Sequence, residues 1–402
     1  YDPAGNITHV RDDASQTIYF RNRRVEPGSD YTYDAVYRLI EATGREHLGQ
    51  TGGVPDTSSA PDPFDSLRTR LSHPGDGNAM ATYIERYSYD ITGNMTALQH
   101  RGSDALQLGW TRQFIYNEES QLEAGRASNR LSGTAAGGIV DICRYDGTAG
   151  MHGSITAMSH LAVLQWDYRD RLRSTARQTV GNGGTPETTW YVYDANGQRV
   201  RKVTERQTAA GQTPTRKSER IWLGGIELYR EYGNDGTAVR LERETLHIKD
   251  DKQRIAVVET LVSGNDGSPS VLIRYQFGSL LGSSSLELDE QARILSYEEY
   301  TPYGCTSYQA LRSQTETKRY RFTGRERDEE SGLYYCGARY YAAWLGRWAS
   351  CDPAGLVDGT NLYEYVGGNP INRRDPTGLQ QVTNDLDPSN PANYVDFDSF
   401  AL

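Results

Sequence analysis

One short pattern constrains the fold of this chain more than anything else in it. Tyr-Asp is followed two residues later by Gly-Asn or an equivalent pair, and then by an apolar residue. The pattern opens the chain as Tyr1-Asp2-Pro3-Ala4-Gly5-Asn6-Ile7, and its cleanest copy is Tyr89-Asp90-Ile91-Thr92-Gly93-Asn94-Met95. Tyr33-Asp34 with Tyr37-Arg38-Leu39, Tyr116-Asn117, Tyr145-Asp146, Trp166-Asp167 with Arg171-Leu172, and Tyr193-Asp194 with Gly197-Gln198-Arg199-Val200 carry it onward. Copies begin 21 to 32 residues apart, except for one gap of 56 that spans two periods. Self-similarity at such a period marks a repeat architecture.

Each copy describes a strand, a tight turn and a returning strand. Gly-Asn or Asn-Gly supplies the positive φ of a hairpin turn. Between copies the chain alternates, as in Trp190-Tyr191-Val192-Tyr193 and Arg199-Val200-Arg201-Lys202-Val203, which is strand periodicity. No segment carries a sustained helical period with caps. One hairpin cannot bury its own face, so copies must stack side by side into a continuous sheet. Such a sheet twists with a fixed hand, and coiling it removes exposed edges. The expected fold is therefore all-β, a large antiparallel sheet of hairpins spiralling into a hollow shell. Composition agrees: 41 Gly among 402 residues exceed the usual share of about 7%. The 28 Tyr against 7 Phe suit surfaces that are half buried and half wet. Residues 50–80 and 204–220 break the pattern and are expected to be a surface loop and a long hairpin tip.

Several functional classes are disfavoured. Net charge is −10 with Arg and Lys scattered, so there is no basic stripe and nucleic acid is not an expected partner. No stretch approaches the roughly 18 apolar residues of a membrane span, and no direct membrane insertion is expected. The seven His and four Cys form no ligand set at metal spacing, and no phosphate loop or nucleophile elbow is present. No cofactor and no metal are therefore expected. A Cys336–Cys351 disulfide is conceivable, with buried free thiols the preferred reading. Beginning at Tyr1 inside a repeat, the chain is expected to be a piece of something longer, with an open strand edge at its N-terminal end.

From about Tyr320 the sequence becomes dense in aromatics and glycines. It reads Arg321-Phe322-Thr323-Gly324-Arg325-Glu326-Arg327-Asp328, Gly332-Leu333-Tyr334-Tyr335 and Gly337-Ala338-Arg339-Tyr340-Tyr341. It continues Leu345-Gly346-Arg347-Trp348, Asp352-Pro353-Ala354-Gly355-Leu356, Asn361-Leu362-Tyr363-Glu364-Tyr365, Asn369-Pro370 and Asp375-Pro376-Thr377-Gly378-Leu379. This run resembles the core domain associated with RHS repeats. With the repeats before it, the chain up to Leu379 resembles the C subunit of bacterial insecticidal toxin complexes.

The resemblance implies a repeat wall over residues 1–319, a core plug over 320–379, and in 380–402 the start or remnant of a variable C-terminal cargo. It implies an aspartyl autoprotease acting once in cis, with Asp352 and Asp375 as catalytic carboxylates and Arg339 as assisting cation. The bond cut would be Leu379–Gln380, freeing a toxin enclosed in the shell. A companion repeat subunit would complete the wall, and the assembly, made in the bacterial cytoplasm, would be secreted or delivered as a toxin complex. The run Leu356-Val357-Asp358-Gly359 leans toward this branch of the family.

Two neighbouring carboxylates cannot both ionise cheaply, so one keeps a proton as acid while the other serves as base. A guanidinium beside them can orient a carboxylate or stabilise an oxyanion. Asp-Pro-x-Gly is equally good turn chemistry, so both Asp can be turn residues alone, and Arg347 rivals Arg339. The tail beyond Leu379 carries Asp385, Asp387, Asp396 and Asp398 with no basic residue and is too short to fold as a toxin. A structural or adhesive wall of the teneurin type, or the shell of a secretion-system effector, is the alternative.

Overall fold

The computed structural model describes residues 1–48, 77–103, 109–250, 254–311 and 318–383. Of the expected loop at 50–80, residues 50–76 lie outside the described residues, as do 384–402 of the expected cargo segment. The described chain is almost entirely β. Eight strands between His9 and Ile142 form one antiparallel sheet, and twelve between Val163 and Leu311 form a second. Strands neighbour one another in chain order, as stacked hairpins must, save that the small hairpin Ile18–Phe20/Arg23–Val25 stands aside. The strand His9–Arg11 ends the first sheet and pairs only with Gly28–Tyr33 among the described strands.

The repeat is a single physical device. At Asp90 the carboxylate accepts the backbone N–H of Thr92 (2.9 Å) and Asn94 (2.9 Å), while Asp90 N–H donates to the Asn94 carbonyl. Asp2, Asp34, Asp167 and Asp194 repeat this wrap. The Tyr before each Asp then ties its turn to the preceding copy. Tyr33 donates to the Ile7 carbonyl (2.7 Å), Tyr89 to Leu39 (2.8 Å), Tyr116 to Met95 (2.9 Å) and Tyr193 to Leu172 (2.7 Å). Phe lacks the hydroxyl for this ladder, which is why Tyr stands at these positions. The ladder register slips beside the aromatic residue in copy after copy, between Thr32 and Tyr33, Ser88 and Tyr89, and Val192 and Tyr193. Such bulges bend a strand and sharpen its twist, so the wall curves.

Two expectations are corrected. The interruption at 204–220 is shorter, because Arg199–Glu205 pairs with Arg216–Leu223 through Glu205↔Arg216; only 206–215 project, and Thr208 still bridges Thr185. Tyr145-Asp146 forms no hairpin turn: Gly147 takes φ 63° and a short helix, Gly147–Met151, follows. Two further copies depart from the sequence pattern. Asp289 wraps Gln291 and Arg293 N–H with Leu288 in the Tyr position, and Tyr300 donates to the Ser284 carbonyl (3.0 Å) ahead of the Thr301–Cys305 turn.

The end of the second sheet returns against the first. Arg45 donates to Glu299 (2.8 Å), and His47 stacks on Tyr308 with ring centroids 6.0 Å apart. Inside this curve lies the segment from Lys318 onward, with a four-stranded sheet of two- and three-residue strands between Glu326 and Trp348. Its aromatics form the largest buried cluster: Tyr341 stacks on Tyr365 at 4.1 Å, and Trp348 meets Tyr365 edge-on at 5.5 Å. Both sheets grip it. Arg112 of the first sheet donates to the Trp344 carbonyl. Arg199 of the second pairs with Asp328 (2.6 Å) and Glu326 (2.8 Å), all three buried. Removing one partner of such a pair costs about 3–5 kcal/mol. All four cysteines are free thiols, with Cys143, Cys305 and Cys336 buried.

Candidate active site

Three turns of the core segment meet where the chain passes from Asp375 to Gln381. The first lies between the strands Tyr334–Tyr335 and Tyr340–Ala342; it closes by Cys336 N–H to the Arg339 carbonyl (3.0 Å) and points Arg339 inward. The second follows the strand Arg347–Trp348 and starts at Asp352; the third follows Arg373–Arg374 and starts at Asp375. Arg339, Asp352 and Asp375 are 2%, 7% and 2% exposed, so their charges must be satisfied among themselves.

They are. One Nη2 of Arg339 lies 2.9 Å from an Asp352 oxygen and 2.9 Å from an Asp375 oxygen, and its guanidinium lies over Trp348, 4.1 Å from the ring centre. Its Nε donates to the Gly378 carbonyl (2.7 Å), the peptide just before Leu379. The other Asp375 oxygen accepts Thr377 N–H (3.1 Å) and Gly378 N–H (2.8 Å), whereas Asp352 accepts Ala354 N–H (2.8 Å). Both Asp-Pro motifs are thus turns, and the two carboxylates still converge on one cation.

Two glycines permit this closeness. A β-carbon on Gly378 (φ 71°) would lie 2.7 Å from Arg339 N and 2.8 Å from the Cys336 carbonyl oxygen, and one on Gly337 would lie 2.7 Å from the Thr377 carbonyl oxygen. Burial pushes the Asp352 carboxyl above its ordinary pKa against the pull of Arg339. That burial favours the protonated form of Asp352. Leu379 and Gln380 are exposed, so water reaches the bond between them.

Sequence reasoning missed one acidic residue here. Asp358 accepts Gln381 N–H (2.8 Å), and burial, with the charge of Asp375, raises its pKa too. Only its position within Leu356-Val357-Asp358-Gly359 hinted at it. Arg347, the rival cation, is elsewhere: it donates to the Tyr116 hydroxyl (2.9 Å) and the Asn129 carbonyl (2.6 Å) and lies over Tyr363. Its task is to fasten the core to the wall.

No protein-family model matches the chain. It is 33% identical to the toxin subunit YenC2 of Yersinia entomophaga over 98% of its length, and 35% identical to the toxin subunit YenC1 of the same organism over 94%. It spans 38% and 36% of those two proteins. Among solved structures it resembles the TcdB2–TccC3 assembly crystallised without its hypervariable C-terminal region. That match has a TM-score of 0.74 at 33% identity, covering 94% of this chain and 16% of that one. The Tc holotoxin pore of Photorhabdus luminescens matches with a TM-score of 0.74 at 33% identity, over 95% of this chain and 16% of its counterpart.

Proposed function

This chain is an RHS-repeat protein resembling the C-type subunits of toxin complexes, and from that premise we propose that it forms part of a shell that encloses a C-terminal toxin and cuts it free after Leu379. The observation that carries the reading is that Arg339, which donates to the Gly378 carbonyl, also holds both Asp352 and Asp375. In the cut, Asp375 takes a proton from an attacking water while protonated Asp352 polarises the Leu379 carbonyl. The water oxygen bonds to that carbon, the Leu379–Gln380 C–N bond breaks, and the proton taken by Asp375 passes to the Gln380 nitrogen, which leaves as an amine. Arg339 fixes the peptide next to the reacting one and balances the carboxylates. A bond in the same chain is always in place, so a modest site suffices for a single turnover.

Residues 1–319 serve in this reading as wall, 320–379 as plug, and the chain after Leu379 leads into the cargo. A companion repeat subunit extends the wall, as TcdB2 accompanies TccC3 in the structural neighbour, and the short end strand His9–Arg11 is a natural seam for it. The assembly is delivered as a toxin complex. A second reading has one observation in its favour: both Asp side chains accept the N–H of the residue two positions on, as turn residues do, and the wall would then be structural only.

Intact-mass spectrometry of the freshly made chain beside an Asp352→Asn version separates the two. Loss of residues 380–402 from the native chain and its retention in the variant supports self-cleavage. An unbroken chain in both leaves a structural wall.

A further inference from the structure

We propose that Asp358 is a positioning residue for release, holding the chain beyond the cut by its backbone so that the cut does not depend on the side chains that follow; this rests on the self-cleavage reading above. Asp358 ends the 3-10 turn Leu356–Asp358, which is flanked by Gly355 (φ 74°) and Gly359 (φ 134°). A β-carbon on either glycine would meet nothing within 4 Å. Their role is therefore conformational: they turn the chain out and back so that one carboxylate faces the departing segment.

What it grips is a main-chain group. Asp358 Oδ2 accepts the N–H of Gln381, two residues past Leu379 (2.8 Å). Beyond it, Val382–Thr383 pairs antiparallel with Arg373–Arg374, again through the backbone. Among the described residues, the Gln381 side chain makes one long hydrogen bond, 3.5 Å from Arg373 Nη1 to its Oε1. Upstream of the bond, Asp375 and Arg339 hold the Gly378 peptide. The bond is thus tethered on both sides: through fixed residues of the core upstream, and through main-chain contacts downstream. A main-chain tether accepts any residue except proline at position 381, because proline has no N–H to offer. Asp358 also lies close enough for its charge to favour a proton on Asp352, whose pKa burial raises first.

Two measurements test this. In an uncut Asp352→Asn chain, amide hydrogen exchange at Gln381 should quicken about tenfold with Asp358→Ala, the loss expected for a hydrogen bond to a charged acceptor. It should stay near its starting rate with Asp358→Asn, which keeps an acceptor oxygen. In the chain with Asp352 intact, loss of residues 380–402 followed by mass should slow about tenfold in Asp358→Ala and in Gln381→Pro. The double variant should be no slower than either, and Gln381→Ala should match the native chain. Release at the native rate from a folded Asp358→Ala chain, or equal slowing by Gln381→Ala, would overturn the proposal, as would unchanged exchange. Should Asp358→Ala fail to fold, Gln381→Pro against Gln381→Ala carries the test alone. If no version loses residues 380–402, self-cleavage itself fails, while the exchange arm still decides whether Asp358 holds the backbone.

Discussion

Asp90 in the wall and Asp352 in the core begin the same kind of turn, yet their carboxyls titrate in opposite directions. At Asp90 burial raises the pKa, but hydrogen bonds from Asn94 and Thr92 outweigh it and the net shift is downward. At Asp352 burial wins over Arg339 and the single N–H of Ala354, and the shift is upward. The number of donors reaching a carboxylate, set against its removal from water, decides whether an Asx turn stays a staple or becomes an acid. The wall repeats the staple; the core buries it beside a second carboxylate and a shared cation.

The largest expected effect breaks that comparison at its centre. Asp352→Asn should slow release by about a thousandfold, the order expected for losing a positioned acid, whereas Asp90→Asn should leave release unchanged; time-resolved intact mass reads both. Because the Asp352 pKa is raised, release in the native chain should decline as pH climbs past it, and a flat profile would count against Asp352 as the acid.

Arg199→Met comes next. It strips the buried Asp328 and Glu326 of their main cation and should cost about 3–5 kcal/mol in a denaturant titration. A loss below 1 kcal/mol would mean that Lys202, 2.9 Å from Asp328, replaces it.

Glu364 sharpens the contrast through pH. Burial, with the charge of Asp90 adding to it against Arg38, raises its pKa to about 7. The folded chain therefore binds a proton at this site that the unfolded chain releases near pH 4.5. Stability should fall as pH rises from about 4.5 to about 7, by at most roughly 3 kcal/mol. Glu364→Gln should remove that slope, and an unaltered slope would clear Glu364. The smallest effect belongs to one rung of the wall. Tyr89→Phe deletes the hydroxyl shared by the Leu39 carbonyl and Tyr303 and should cost about 1 kcal/mol, seen as a lowered unfolding midpoint.

Tyr-Asp with Gly-Asn or Asn-Gly was legible because the whole device is local. The Asp carboxylate reaches N–H groups two and four residues on, and the turn needs a positive φ at one position. The copy at Asp289 was missed because Leu288 stands in the Tyr position, although Arg293, four residues on, repeats the Asp34/Arg38 and Asp167/Arg171 pairing. Tyr145-Asp146 misled because the two letters persist where the turn residues have gone.

Alternation, turn residues and Tyr content thus determined from sequence alone that this chain is a stack of antiparallel hairpins, since strand period and turn φ are properties of neighbouring residues. Only the tertiary structure decided that the stack bends around its own C-terminal segment, that Arg339 rather than Arg347 meets the two carboxylates, and that Asp358 reaches Gln381. Those outcomes depend on the sum of bulges along the wall and on contacts between turns far apart in the chain. No local pattern encodes either.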